Sequence, residues 1–250
     1  MLAVLAVTQP VGLVIALAVV PVFGADSLSS EDLALAFGGG AAGMGALAAF
    51  YRALGVGTMS VVAPIAAMGV VVPVAWGLAH GEQPGALQFA GLAIAVAGVV
   101  VLSYEEDSER PQVARQSIAL ALISALGFGA FFTLLDVAAS DRPGWAIVSA
   151  RLGGVVAVGL AAAAARPSMR SVPGALWVLV AVGFFDIAAN TLFAVASTMG
   201  LLPVVAVGGS MYPAFTIVLA HIVLGERLSP AQRAGVVAAL AGVVLIAAAS

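Results

Sequence analysis

Three ionisable side chains lie inside long apolar segments of this sequence: Asp136, Arg151 and Asp186. A charge near the centre of a bilayer costs at least about 2.5 kcal/mol unless it finds a partner or water, so such residues mark functional sites. Asp186 lies in the middle of its segment, and Asn190 follows one turn later on the same helix face. The pair predicts a site for a polar substrate or a proton, with a satisfied structural network as the alternative.

Arg151 lies about one third of the way into another apolar segment. It could extend to the interface, pair with Asp136 or Asp186, or hold an anionic substrate group, and pairing is the favoured interpretation. Asp136 is near the end of its segment, which favours interfacial exposure.

Prolines supply a second signal, because a proline inside a helix frees backbone carbonyl groups that can line a binding site or a gate. Pro64, Pro73, Pro203 and Pro213 interrupt two segments, although plain kinks would give the same pattern. Polar side chains accompany two prolines, at Gln9-Pro10 and at Ser210 to Pro213. We therefore predict that six residues converge near the membrane midplane and bind substrate or couple its movement to protons: Asp186, Asn190, Arg151, Tyr212, Ser210 and Gln9.

The composition places these residues in a membrane. Of 250 residues, 63% are hydrophobic and 8% charged, and the mean hydropathy is +1.18. This composition lies far outside the range of soluble domains, whose surfaces contact water. Apolar runs of roughly 20 residues follow one another, each long enough to cross about 30 Å of hydrocarbon as a helix. We predict an all-α polytopic transmembrane bundle with nine spans, at about 1–23, 32–52, 58–79, 85–104, 116–137, 144–165, 174–196, 201–224 and 229–249.

Several function classes are excluded or disfavoured by composition. The absence of cysteine excludes disulfides, thiolate catalysis and Cys-ligated metals, and His80 and His221 lack a second imidazole at metal-ligand spacing. A net charge of −3 without a basic cluster argues against nucleic acid as a partner. We expect no cofactor and no metal.

The chain contains an internal repeat. Residues 81–100 recur at 225–244, with ten of twenty positions identical and a shared Gly-Glu start at Gly81-Glu82 and Gly225-Glu226. This predicts a first repeat at 1–104 with four helices, an acidic linker at 105–115 and a second repeat at 116–250 with five helices. Because five is odd, two complete repeats would insert with opposite orientation, so we predict inverted repeats and a first helix that is missing from this chain. Each repeated glutamate is predicted to meet the positive end of the helix that follows it.

These residues resemble the EamA-type branch of the drug/metabolite transporter superfamily. The resemblance depends on Gly-Glu followed by Gln and Gly at matched spacing in both halves, on Tyr212-Pro213, and on Arg151 in an apolar helix. It implies a ten-helix permease or exporter of the inner cell membrane that moves amino acids, metabolites or drugs by alternating access. Such proteins are driven by an ion or substrate gradient, with protons as a candidate coupling ion.

Two other classes stay open beside transport. An intramembrane enzyme could use Ser210 with His221, but eleven residues along a helix span about 16 Å, too far for a hydrogen-bonded dyad. A channel or a structural membrane protein is the second alternative. The weakly polar residues of the predicted site favour an amphiphilic or zwitterionic small molecule over a polyanion as the substrate. The sequence leaves the membrane orientation and the oligomeric state open.

Overall fold

The computed structural model describes residues 2–22, 28–57, 62, 65–102, 111–139, 143–168, 172–209, 211 and 230–248. All regular structure in these ranges is helical. The described residues form two short 3-10 segments, Val20–Val22 and Met68–Val70, and nine α-helices: α1 Leu2–Val19, α2 Ser30–Val56, α3 Val71–Ala79, α4 Ala86–Leu102, α5 Pro111–Ala139, α6 Pro143–Ala165, α7 Val172–Met199, α8 Leu202–Gly209 and α9 Pro230–Ala248.

The described helices confirm the all-α prediction, and each predicted span contains one of them. Five are long and apolar enough to cross a bilayer, at 2–22, 30–56, 115–139, 143–165 and 173–199. Three shorter apolar helices lie at 65–79, 86–98 and 233–242. Most of the predicted span at 201–224 lies outside the described residues, as does most of the predicted linker at 105–115.

Local signals set the ends of two helices. Ser29 begins α2, because its Oγ accepts the backbone N–H of Asp32 at 3.0 Å and donates to the Asp32 carboxylate at 2.7 Å. Gly81 ends the turn after α3 with φ +90°, a backbone conformation that side-chain-bearing residues rarely adopt. The predicted spans, which were drawn from the apolar runs, agree with these ends within a few residues.

The chain forms two compact units. Unit 1 contains residues 1–45 and 130–199, and unit 2 contains residues 46–129 and 200–250. The division falls inside α2, after Gly45, and inside α5, after Gly129. Each unit therefore draws residues from both predicted repeats, and the repeat boundaries at 104 and 116 stay predictions.

In unit 1, α1 packs against α6 and α7, and small residues let the backbones approach closely. A Cβ at Gly40 of α2 would overlap the carbonyl of Ala150 on α6, and a Cβ at Gly153 of α6 would overlap the carbonyl of Phe37 on α2. Gly183 on α7 meets the Thr8 carbonyl of α1 in the same way, at 2.8 Å from its Cβ position. These close approaches hold the N-terminal half of α6 inside the unit.

In unit 2, α4 packs along α9, and α3 packs against α8. A Cβ at Gly242 would lie 2.5 Å from the backbone nitrogen of Ala95 and 2.7 Å from the carbonyl oxygen of Gly91. Gly98 makes the reciprocal approach to Ala239 and to the Gly235 carbonyl. A small apolar core of Ala53, Val62 and Ala121 lies elsewhere in this unit.

Candidate functional site: a buried ion pair in unit 1

Arg151 is the centre of the polar cluster in unit 1. It lies on α6 and is buried, and its Nη1 donates to Oδ2 of Asp186 on α7 at 2.5 Å. The same nitrogen donates to Oε1 of Gln9 on α1 at 2.9 Å. Three helices thus meet at one guanidinium group, and of the alternatives for Arg151 the structure contains the ion pair with Asp186.

The two partners of this ion pair differ in exposure. The side chain of Arg151 is 5% exposed, whereas that of Asp186 is 43% exposed. On α7, Asp186 shares an inward stripe with buried Gly183 and Ile187, while Phe185 beside it is on the exposed outer face. Asp186 is therefore the accessible partner and Arg151 the enclosed one.

Asn190 lies one turn after Asp186, as its spacing predicts. Its Nδ2 is 3.5 Å from Oδ1 of Asp186, at the outer limit of a hydrogen bond, so the contact is weak. Oδ1 of Asp186 is consequently the carboxylate oxygen with the weaker described partner. We call Gln9, Arg151, Asp186 and Asn190 the Arg151 cluster.

Two glycines make room for the cluster. A Cβ at Gly12 of α1 would lie 3.3 Å from Cδ, Nε and Cζ of Arg151, and one at Gly154 of α6 would lie 3.3 Å from Oε1 of Gln9. Both distances are tighter than ordinary contact, so a larger residue would press on the guanidinium or on its amide partner. Neither glycine is identifiable from the sequence, because only the packing of α1 against α6 gives them this role.

Buried polar groups on α1 depend on the same packing. Gln9 is 3% exposed and directly precedes Pro10, which lies inside the helix. A buried amide without a hydrogen bond costs about 1–3 kcal/mol, and Arg151 supplies a donor for its oxygen. The structure thus brings Gln9, Arg151 and Asp186 into contact, and their role as a substrate or proton site stays a prediction.

Four of the six predicted site residues are brought together in this way. Ser210 and Tyr212 lie outside the described residues, as do Pro213 and His221. Within the ranges that the structure describes, no group of three or more His, Cys, Asp or Glu side chains could hold a metal ion. His80 makes local contacts, with its ring stacked on Trp76 at 4.0 Å and Nδ1 2.9 Å from the Trp76 carbonyl oxygen.

The described hydrogen bond of Glu82 is made with a helix other than the one that follows it. At the start of α4, the following helix, the side-chain oxygen of Gln88 accepts the Gly85 N–H at 2.8 Å. The Oε2 atom of Glu82 instead accepts the backbone N–H of Leu202, the first residue of α8, at 2.7 Å. Residues 120 positions apart are joined by this bond, and no local pattern announces it. The second glutamate, Glu226, lies outside the described residues.

Long apolar helices, two of which hold a partly buried ion pair, define the class of a multi-pass membrane protein. The chain belongs to the EamA-like transporter family, whose model matches residues 115–248, just over half of its length. Arg151, Asp186 and Asn190 lie within the matched range, and Gln9 lies before it. This family consists typically of transporters without enzymatic activity.

A comparison with solved structures supports the fold. One protein of known crystal structure matches with a TM-score of 0.77 and 18% sequence identity, over 98% of this chain and 86% of its own. At that identity the match concerns the fold alone. A comparison with curated proteins found no match.

Proposed function

We propose that this protein is a secondary transporter that binds small organic solutes at the Arg151 cluster and moves them across the cell (inner) membrane. The observation that carries the proposal is the ion pair of Arg151 and Asp186 inside two long apolar helices. Family membership supports the transport class, and the cluster supplies the polar groups that such a class needs.

The accessibility of Asp186 favours a binding role over a purely structural one. A buried ion pair contributes little net stability, because the desolvation of both charges offsets most of their attraction. Packing does not require an accessible partner, and nearly half of the Asp186 side chain is left uncovered by protein. Polar solutes and protons can therefore reach the carboxylate that neutralises Arg151.

The transport cycle we propose is alternating access between two inverted repeats, with residues 1–104 and 116–250 as the repeats. The contacts of α4 with α9 support this arrangement. Gly98 of α4 contacts Ala239 and Gly235 of α9, and Gly242 of α9 contacts Ala95 and Gly91 of α4. The second set of contacts is the first set with each residue replaced by its repeat partner 144 positions away. Partner numbers fall as residue numbers rise, which is the order expected of helices that run in opposite directions.

The experiment uses the purified full chain in liposomes loaded with a small-molecule extract of cells. Mass spectrometry of the external solution identifies solutes that leave faster than from protein-free liposomes. We expect at least one small organic solute to leave in this way, and Arg151→Gln to slow its exit at least about tenfold, the effect of losing one charge-assisted contact. If no solute leaves faster with the wild-type protein, the proposed function is wrong.

A further inference from the structure

The charge balance of the Arg151 cluster limits which ligands it can accept. A guanidinium group keeps its proton in proteins, so Arg151 stays cationic whatever occupies the site. Gln9 is neutral, and Asp186 is the partner that balances the charge. A net charge left inside apolar helices would cost at least about 2.5 kcal/mol on insertion scales.

The neighbouring helices add few other charges. The sequence of α1 contains no ionisable side chain, and Arg151 and Asp186 are the sole ionisable residues of α6 and α7. The helix α5 also contacts α7, through Phe132 and Phe193 at 4.4 Å between ring centroids. It carries Asp136 one turn from Phe132, and Asp136 has an interaction of its own. Asp186 is therefore the adjustable charge that lies in direct contact with Arg151.

We infer that the cluster takes its ligand through an anionic group, which replaces the Asp186 carboxylate on Arg151 while Asp186 takes up one proton from the water phase. This inference rests on the proposed function and specifies an anionic ligand, bound together with one proton. The charges balance: an Arg⁺/Asp⁻ pair, an anion and a proton become an Arg⁺/anion⁻ pair and a neutral aspartic acid. The bound site is as neutral as the empty one.

The geometry fits this exchange. Both described hydrogen bonds of Arg151 start from Nη1, although a guanidinium group can bind a carboxylate through two parallel N–H donors. Asp186 is held by one oxygen and is the exposed partner, so it can leave while Arg151 stays in place. Protonation of Asp186 also removes the attraction that holds it to Arg151.

A ligand with only a cationic group does not fit. It would engage Asp186 and leave Arg151 with the neutral amide of Gln9, and no proton movement could restore neutrality because Arg151 cannot lose its charge. The site therefore discriminates by sign, and this can be measured without knowledge of the natural substrate.

The test uses acetate and ethylammonium as probes of the purified protein in detergent, with calorimetry and thermal unfolding as readouts. Asn at position 186 mimics the protonated acid, so we expect Asp186→Asn to bind acetate at least about tenfold more tightly than wild type at mildly alkaline pH. The double variant Arg151→Gln/Asp186→Asn removes the cation and should bind acetate no better than the wild-type protein does at that pH. Calorimetry of wild type in buffers of different ionisation enthalpy should report one proton taken up per acetate bound.

Three results would overturn the inference. They are tighter binding of ethylammonium than of acetate by wild type, acetate binding without proton uptake, and equal acetate affinity in wild type and Asp186→Asn. Should Asp186→Asn fail to fold, the pH dependence of acetate affinity in the wild-type protein replaces it. Acetate must bind the wild-type protein more tightly at mildly acidic than at mildly alkaline pH, and equal affinity at both would overturn the inference. If any of these results appears while Arg151→Gln still slows solute exit from liposomes, the anion inference fails and the proposed function stands.

Discussion

Gly98 of α4 lies against the backbone of Ala239 on α9 so closely that a Cβ at position 98 would overlap the Ala239 nitrogen. Gly242 approaches Ala95 in the same manner. Gly242 lies 144 positions after Gly98, and Ala95 lies 144 positions before Ala239. Without a hydrophobic effect between helices in lipid, such close backbone contact is a main source of their association. The repeated glycines thus hold the two equivalent helices together.

Enlarging either glycine should destabilise unit 2 to a similar extent. We expect Gly98→Ala and Gly242→Ala each to lower the free energy of unfolding by about 1–3 kcal/mol, since backbone must shift to admit the methyl group. Unfolding in detergent, followed by circular dichroism, measures this. Gly159→Ala on α6 is the matched control, because its Cβ would meet nothing within 4 Å. A loss of stability in the control as large as in the two variants would refute the packing argument.

The bond from Leu202 to Glu82 predicts a capping effect across the chain. Glu82→Ala removes the acceptor at the start of α8 and should cost about 0.5–2 kcal/mol of stability. Glu82→Gln keeps an acceptor oxygen and should cost less. The neighbouring exposed residue Gln83 provides the control Gln83→Ala, which should be neutral in the same thermal unfolding assay. Equal stability of Glu82→Ala and Gln83→Ala would show that the bond contributes nothing.

The unequal exposure of the ion pair predicts an asymmetry between its two single variants. Asp186→Asn leaves an enclosed guanidinium without its counter-ion and should destabilise by about 3 kcal/mol. Arg151→Gln leaves a carboxylate that is less enclosed, so it should cost less than Asp186→Asn. Thermal unfolding of both variants and of the double variant completes a double-mutant cycle. The reverse order of the single variants would contradict the assignment of Arg151 as the enclosed partner.

The inverted-repeat proposal predicts the sidedness of two equivalent helix starts. Because the sequence has no cysteine, single cysteines can be introduced at Gly85, before α4, and at Ala231, at the start of α9. A membrane-impermeant thiol reagent applied to intact cells should label one of the two, and inverted vesicles should label the other. Labelling of both from the same side would mean that α4 and α9 run in the same direction, which the inverted repeat does not allow.

The sequence predicts the helices well because apolar runs of bilayer length and their breaks are local signals. The grouping of the four cluster residues was also predictable, because polar side chains in membrane-spanning helices face the protein interior and pair with one another. These residues are Gln9, Arg151, Asp186 and Asn190. Their pairing was predictable only in part: the sequence left both Asp136 and Asp186 open as partners of Arg151, although the position of Asp136 near the end of its segment favoured the interface. The contact of Gly12 with Arg151 and the hydrogen bond from Leu202 to Glu82 were not predictable either. Both join residues that are far apart in the chain, and the periodicity of the sequence does not reveal such packing.

The most direct test of the central claim is transport by the neutral double variant Arg151→Gln/Asp186→Asn. Exchanging both residues removes both charges, leaves no unpaired charge and keeps a polar side chain at each position, so a pair that served only structure could be replaced with little loss. We expect the variant to reach the membrane and unfold near the wild-type temperature, yet to move the solute identified in liposomes at least about tenfold more slowly. Wild-type transport by a stable double variant would contradict the account and reduce the ion pair to a structural element.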